Sequence, residues 1–185
     1  MKIVDAVLSV YTGFRVGWAF VVAILCFALY MVYSIKERKK LELPITGKAY
    51  LKGIIFSAYM VALLGGTMLN RTIGIDDRIE LVPFWSYWET FVNRDDTLWQ
   101  QMLFNIAVFV PWGFLFPILF EKMKDFRWNV IGATGVSLVI EVIQFLFKIG
   151  LFEFDDIFHN TLGALIGYAI WKAICKRSMV EKRDK

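Results

Sequence analysis

Long runs without charge constrain this chain more than any other feature. Residues 16–35 (20 residues), 53–70 (18 residues) and 97–120 (24 residues) contain no Asp, Glu, Lys or Arg, and residues 128–147 (20 residues) contain one, Glu141. About 20 apolar residues in helical form span the hydrocarbon core of a bilayer. A fifth run, 157–171, has 15 residues and reaches Cys175 past Lys172. With 58% hydrophobic and 17% aromatic residues, the expectation is an all-α, polytopic membrane helical bundle of about five transmembrane helices in one membrane domain, 1–185. The first run starts late, is long and lacks a small-residue cleavage site, so it is not read as a secretory signal peptide. Ile3, Val7, Val10 and Phe14 are apolar at helical spacing, which predicts an N-terminal surface helix ahead of the first span.

Charge sets the expected orientation. Segment 36–52 carries six Lys/Arg against two acids, the tail 172–185 six against two, and 121–127 three against two. Segments 71–96 and 148–156 are acidic instead, with three basic against six acidic residues and one against three. Short Lys/Arg-rich loops stay in the cytoplasm, which predicts a multi-pass protein with its N-terminus outside and its C-terminus inside. The net charge of +4 is confined to such loops and is no nucleic-acid signature. Cys26 and Cys175 have neither metal-ligand spacing nor a depth suited to a disulfide.

The long loop 71–96 holds L-V-P-F-W-S-Y-W-E-T-F. Phe84, Trp88 and Phe91 share one helical face, and Ser86, Glu89, Thr90 and Asn93 the other, so an outer interfacial helix opened by Pro83 is expected. Pro111 in the third span removes a backbone donor and predicts a kink.

Polar residues inside such sequence are costly and usually mark cavities, partners or chemistry. Ser137, Glu141 and Gln144 stand at steps of four and three, a single helical face. Asp156, Asn160, Gly163 and Gly167 form a second such face, and the G-x-x-x-G step lets another helix approach closely. The fourth span, joined by a short loop, is the expected neighbour of those glycines. Asp155 and Asp156 open the fifth helix, where its dipole favours negative charge. The predicted topology brings Asn105, Ser137, Glu141, Gln144, Asp155, Asp156, His159 and Asn160 to one depth on the outer side, with Arg71 and Arg78 in the outer loop. Separately, each has a structural reading. Asp155 can cap a helix, Arg71 and Arg78 can be solvated, and the amides can be interhelical hydrogen-bonding groups.

Taken in order, L-V-P-F (81–84), N-I-A-V-F-V-P-W-G-F (105–114), S-L-V-I-E-V-I-Q (137–144) and F-D-D-I-F-H-N-T-L-G-A-L-I-G-Y (154–168) give the chain a marked similarity. It resembles the VanZ-like family over a core of about residues 50–175. These are small bacterial membrane proteins named after an accessory protein of glycopeptide-resistance clusters. Positions that carry over are Asn105, Pro111, Gly113, Ser137, Glu141, Gln144, Asp155, Asp156, Asn160, Gly163 and Gly167. Two departures stand out: G-L-F-E (150–153) where the family often has an Arg, and His159 where a hydrophobic residue is usual. The resemblance implies a cell-envelope protein of the plasma membrane and a link to teicoplanin-type lipoglycopeptide resistance.

Two functions remain open on sequence. In the first, the cluster is a non-catalytic outer-leaflet pocket for membrane lipids or a lipid-linked cell-wall component, with Arg71 and Arg78 pairing phosphate and Asn105, Ser137, Gln144, Asp155 and Asn160 hydrogen bonding. In the second, the protein is an intramembrane enzyme. Glu141 is then general base, Asp155 and Asp156 hold a proton or a divalent cation, and His159 shuttles a proton. No cofactor is expected in the first reading. Hydrolase patterns such as G-x-S-x-G and H-E-x-x-H are absent from the sequence, which removes the templates that need them. A transporter is disfavoured, because the five runs show no internal inverted repeat.

Overall fold

The computed structural model describes residues 2–69, 79–94 and 96–181. Among these residues the chain forms six α-helices. They are α1 (Lys2–Lys40), α2 (Gly47–Leu64), α3 (Trp85–Asn93), α4 (Asp96–Leu119), α5 (Phe126–Leu146) and α6 (Phe154–Glu181). The contacts divide it into two compact units, residues 1–70 and 71–185.

Four helices are long and apolar enough to cross a membrane, over Gly17–Lys40, Gly47–Met68, Thr97–Leu119 and Phe126–Leu146. They coincide within a few residues with the four runs of 18 residues or more that hold at most one charge. The fifth run is helical as expected, inside α6, but α6 is not among the helices that qualify on the same measure; His159, Asn160 and Lys172 interrupt its apolar stretch. The expected N-terminal surface helix is not a separate element: α1 runs unbroken from Lys2 to Lys40.

In the first unit α1 packs on α2, which ends in a π turn at Gly65–Leu69. Gly53 permits the approach, since a Cβ there would sit 3.0 Å from the Phe27 ring and 3.1 Å from Tyr30. Arg38 braces the turn between the helices through Nη1 to the Pro44 carbonyl at 2.6 Å and Nη2 to Thr46 Oγ1 at 3.2 Å. Ser57 and Thr67 return their hydroxyls to carbonyls one turn back, Gly53 at 2.8 Å and Leu63 at 2.8 Å. These bonds satisfy polar groups inside otherwise apolar helices. Phe20, Ile24 and Leu29 point outward.

The second unit is built on α6. A Cβ at Gly163 would collide with the Ile106 carbonyl, one at Gly167 with that of Val110, and one at Gly113 with that of Ala164. The glycine face therefore meets α4, not α5. This corrects the expectation drawn from loop length: the small residue that completes the close approach, Gly113, lies on α4. Position numbers rise together along this seam, so α4 and α6 are parallel. Helix α5 is antiparallel to both, joined to α6 by Thr134 to Thr161 at 3.0 Å and Asn160 to Ser137 at 2.8 Å. α4 continues through Pro111 and Pro117. At its far end Trp112 donates to the Asn129 carbonyl at 3.3 Å and stacks on Phe116, with ring centroids 3.6 Å apart. There Tyr168 also closes on the Lys124 carbonyl at 2.7 Å.

A feature absent from the sequence expectation is a two-residue parallel pairing of Ile79–Glu80 with Phe152–Glu153. The interfacial helix forms one step later than expected. Pro83 lies before it, and its N-cap is Phe84 in the left-handed region at φ 64°.

Candidate functional site

Polar side chains are buried in the second unit beside an apolar core that includes Phe109, Trp112 and Ile140. Asn105, Ser137, Glu141, Gln144, Asp155, Asp156, His159 and Asn160 are all buried, none more than 3% exposed. By contrast Trp88 (66%) and Phe91 (69%) stand outward. Helix α3 is inverted within nine residues: Ser86 and Thr90 face inward and the aromatic face outward. Buried carboxylates and amides beneath exposed apolar side chains such as Leu103, Ile131 and Leu146 suit an apolar surrounding medium.

The eight residues come from three helices at one end of the unit. From α5, the face at Ser137, Glu141 and Gln144 is fully inward, as the spacing predicts. Glu141 Oε2 accepts the backbone N–H of Glu153 at 3.1 Å, which ties α5 to the strand preceding α6. Because α5 and α6 are antiparallel, Glu141 stands at the level of Asp156. Glu141, Gln144, Glu153 and Asp156 are each engaged by further interactions, as buried acids and amides must be.

The two aspartates have different partners. Asp155 Oδ1 accepts from the Phe84 N–H at 2.7 Å and Oδ2 from the Ser86 N–H at 2.9 Å. Those are the first free donors of α3, whose own N-cap residue offers no side-chain acceptor. The carboxylate thus caps a helix 71 positions upstream rather than only its own. Asp156 Oδ2 faces α4, where Gln101 Nε2 lies at 3.4 Å.

His159 faces α3: its Nε2 shares a hydrogen bond with Tyr87 Oη at 2.8 Å, and the rings lie 5.4 Å apart. Burial, and then the nearby Asp155 charge, raise the Tyr87 hydroxyl above its ordinary value of 10.0, so the phenol stays protonated at neutral pH. Three polar atoms of this cluster have no partner among the described residues: Asn105 Nδ2, His159 Nδ1 and Asn160 Oδ1.

Arg71 and Arg78 lie outside the described residues. Among those described, no group of three or more His, Cys, Asp or Glu is arranged to hold a metal ion. Sequence reasoning missed Tyr87, Gln101 and Glu153. Gln101 was findable, standing one turn before Asn105 on the same face of α4. Tyr87 and Glu153 reach the site through tertiary contacts that no local pattern announces.

Helices that expose apolar surface around a buried polar core define a multi-pass helical membrane protein. More narrowly, the chain belongs to the VanZ/LLP1 family, which it matches over residues 54–176. It is similar to Protein VanZ of Enterococcus faecium, 29% identical over 86 residues that cover 46% of this chain and 53% of that protein. The chain therefore spans about half the length of this curated relative. No solved structure matches.

Proposed function

We propose that the protein is a non-catalytic component of the bacterial cell envelope whose polar cluster binds a lipid headgroup or a lipid-linked wall component in the outer leaflet. The protein crosses the plasma membrane five times, with α6 as the fifth span, its N-terminus outside and its C-terminus in the cytoplasm. The loop charges support that orientation, and the parallel pairing of α4 with α6 and the antiparallel course of α5 support α6 as a span that follows α5. At 28 residues, α6 is about 42 Å long at 1.5 Å per residue, ample for a span. Its acids enter only because the surrounding helices receive them.

One observation carries the reading: eight polar residues from three helices share one buried end of the unit, while Trp88 and Phe91 of α3 and apolar side chains such as Leu103, Ile131 and Leu146 face outward. A membrane protein retains such a cluster at a cost in insertion energy, which a binding role repays. By occupying a lipid headgroup there, the protein changes how lipid-anchored antibiotics of the teicoplanin type sit at the membrane surface.

The test is expression in a sensitive bacterium, with protein level in the membrane quantified for each variant. Wild type lowers teicoplanin sensitivity. Asp156→Asn, which keeps hydrogen-bonding capacity, retains the effect, and Asn160→Leu abolishes it. No change in sensitivity on wild-type expression, together with no lipid copurifying, refutes the reading. Membrane lipids are compared in the same cells. A new lipid species with wild type that is missing with Glu141→Gln would replace binding by catalysis, with Glu141 as base, Asp155 and Asp156 as the cation or proton site, and His159 as shuttle.

A further inference from the structure

Two unpartnered atoms of the cluster are complementary to each other, and the helix register brings them to one depth. Asn160, 2% exposed, donates its Nδ2 to Ser137 Oγ at 2.8 Å and leaves Oδ1 without a donor. Asn105, also 2% exposed, leaves Nδ2 without an acceptor. Trp112 lies two helical turns further along α4 on the same face, and its indole reaches α5 at Asn129. Two turns back along α4 is two turns forward along the antiparallel α5. Asn105 is therefore at the level of Ser137 on α5, the residue that holds Asn160. Ile106, its neighbour, meets Gly163, one turn after Asn160. Asn105 and Asn160 thus stand at one level where α4, α5 and α6 meet, and Asn105 Nδ2 and Asn160 Oδ1 are each without a partner.

A buried amide N–H and a buried amide C=O each carry a penalty when unmet. The group that meets both must accept from one and donate to the other. A phosphate oxygen accepts only and leaves Asn160 Oδ1 unmet. An ammonium donates only and leaves Asn105 Nδ2 unmet. A hydroxyl does both. We infer that the junction of α4, α5 and α6 is a hydroxyl-recognition subsite, so that the ligand of the cluster is a neutral polyhydroxylated group such as a sugar. This rests on the proposed binding role of the cluster and names its ligand class. The surrounding Ser137, Gln144 and Glu141 suit the same chemistry, since carboxylates and amides serve the paired donors and acceptors of adjacent hydroxyls.

The full chain is reconstituted in phosphatidylcholine nanodiscs doped with diglucosyl-diacylglycerol, phosphatidylethanolamine or phosphatidic acid, and retained lipid is read by native mass spectrometry. The glycolipid is retained in preference to the other two. Asn105→Leu weakens retention about tenfold, the loss of one buried hydrogen bond whose partner is stranded. Asn105→Asp keeps the shape, replaces the donor by an acceptor, and weakens it similarly. Circular dichroism confirms helix content, and the Asp variant carries the test if the Leu variant does not fold.

Preferred retention of phosphatidylethanolamine or phosphatidic acid overturns the hydroxyl assignment and leaves headgroup binding standing. Glycolipid retention unchanged in both variants overturns the assignment too, because the two amides then hold only water. No lipid retained in any disc defeats both readings. Free glucose that binds as well as the glycolipid supports hydroxyl recognition and moves its source from the membrane to the medium.

Discussion

Removing the Asp155 carboxylate should free α3 from the rest of the second unit while leaving α4, α5 and α6 packed. Helix α3 begins after Phe84, which supplies no side-chain cap, so the N–H groups of Phe84 and Ser86 depend on Asp155. Both bonds are to a charged acceptor, and the residue is 3% exposed. Ordinary caps contribute about 0.5–2 kcal/mol and bonds to charged groups about 1.5–3 kcal/mol. Two bonds sharing one carboxylate therefore hold α3 by about 2–4 kcal/mol. At 1.4 kcal/mol per decade, Asp155→Ala raises local opening of α3 by about 30-fold to 1000-fold. Hydrogen–deuterium exchange of the reconstituted protein reads this on peptides covering residues 84–93. Asp155→Asn gives a smaller loss, because one amide oxygen still accepts while its NH2 faces a donor. Asp156→Asn, whose carboxylate faces Gln101 on α4, leaves α3 exchange near wild type. If α3 protection is unchanged in Asp155→Ala, or if α4–α6 loosen as much as α3, Asp155 is not the clasp of α3.

Three further outcomes follow from the same geometry. Gly167→Ala drives a Cβ into the Val110 carbonyl and costs about 1–3 kcal/mol or more, read as a lowered melting temperature in detergent. Gly135→Ala, where nothing lies within 4 Å, is neutral or stabilising by about 0.5–1 kcal/mol; equal effects at both sites would refute the parallel α4–α6 seam. For Tyr87, an ultraviolet difference titration of wild type against Tyr87→Phe gives an ionisation midpoint above 10.0. Because the folded value is raised, the tyrosine adds no pH dependence below the unfolded value. Stability falls as pH climbs from the unfolded value through the folded one, because there the unfolded chain has lost the proton that the folded one keeps. Asp155→Asn moves the midpoint down by removing the charge; a midpoint that stays put would show that charge to be irrelevant.

The helices and their faces were legible because periodicity is local. Ser137, Glu141 and Gln144 repeat at helical steps and are buried together, and Trp88 and Phe91 are outward as their shared face implied. What escaped was long range. Loop length pairs the glycine face of α6 with α5, but Gly113 on α4, whose Cβ would meet the Ala164 carbonyl, is the sign that decides for α4. The role of Asp155 was hidden because its partners lie far upstream. The weak start of α3, L-V-P-F-W-S without an acceptor at the N-cap, was the readable hint that a cap must come from elsewhere. Nothing local separates α1 from its N-terminal turns: residues 12–17 contain Gly13, Arg15 and Gly17 but no proline, and the helix continues through them.

The inverted face of α3 links these points to access. Its outward side, Trp88 and Phe91, suits an apolar or interfacial medium, while its inward side meets Asp155 and His159. A headgroup entering the cluster past α3 must compete with the Phe84 and Ser86 N–H groups for Asp155 and with Tyr87 for His159. Binding by that route would therefore raise α3 exchange in the wild type, and Asp155→Ala would lower the barrier to entry. A ligand that enters between other helices would leave α3 as protected as before. Exchange of residues 84–93 measured with and without the diglucosyl lipid separates the routes, and unchanged α3 protection with lipid bound would exclude entry past α3.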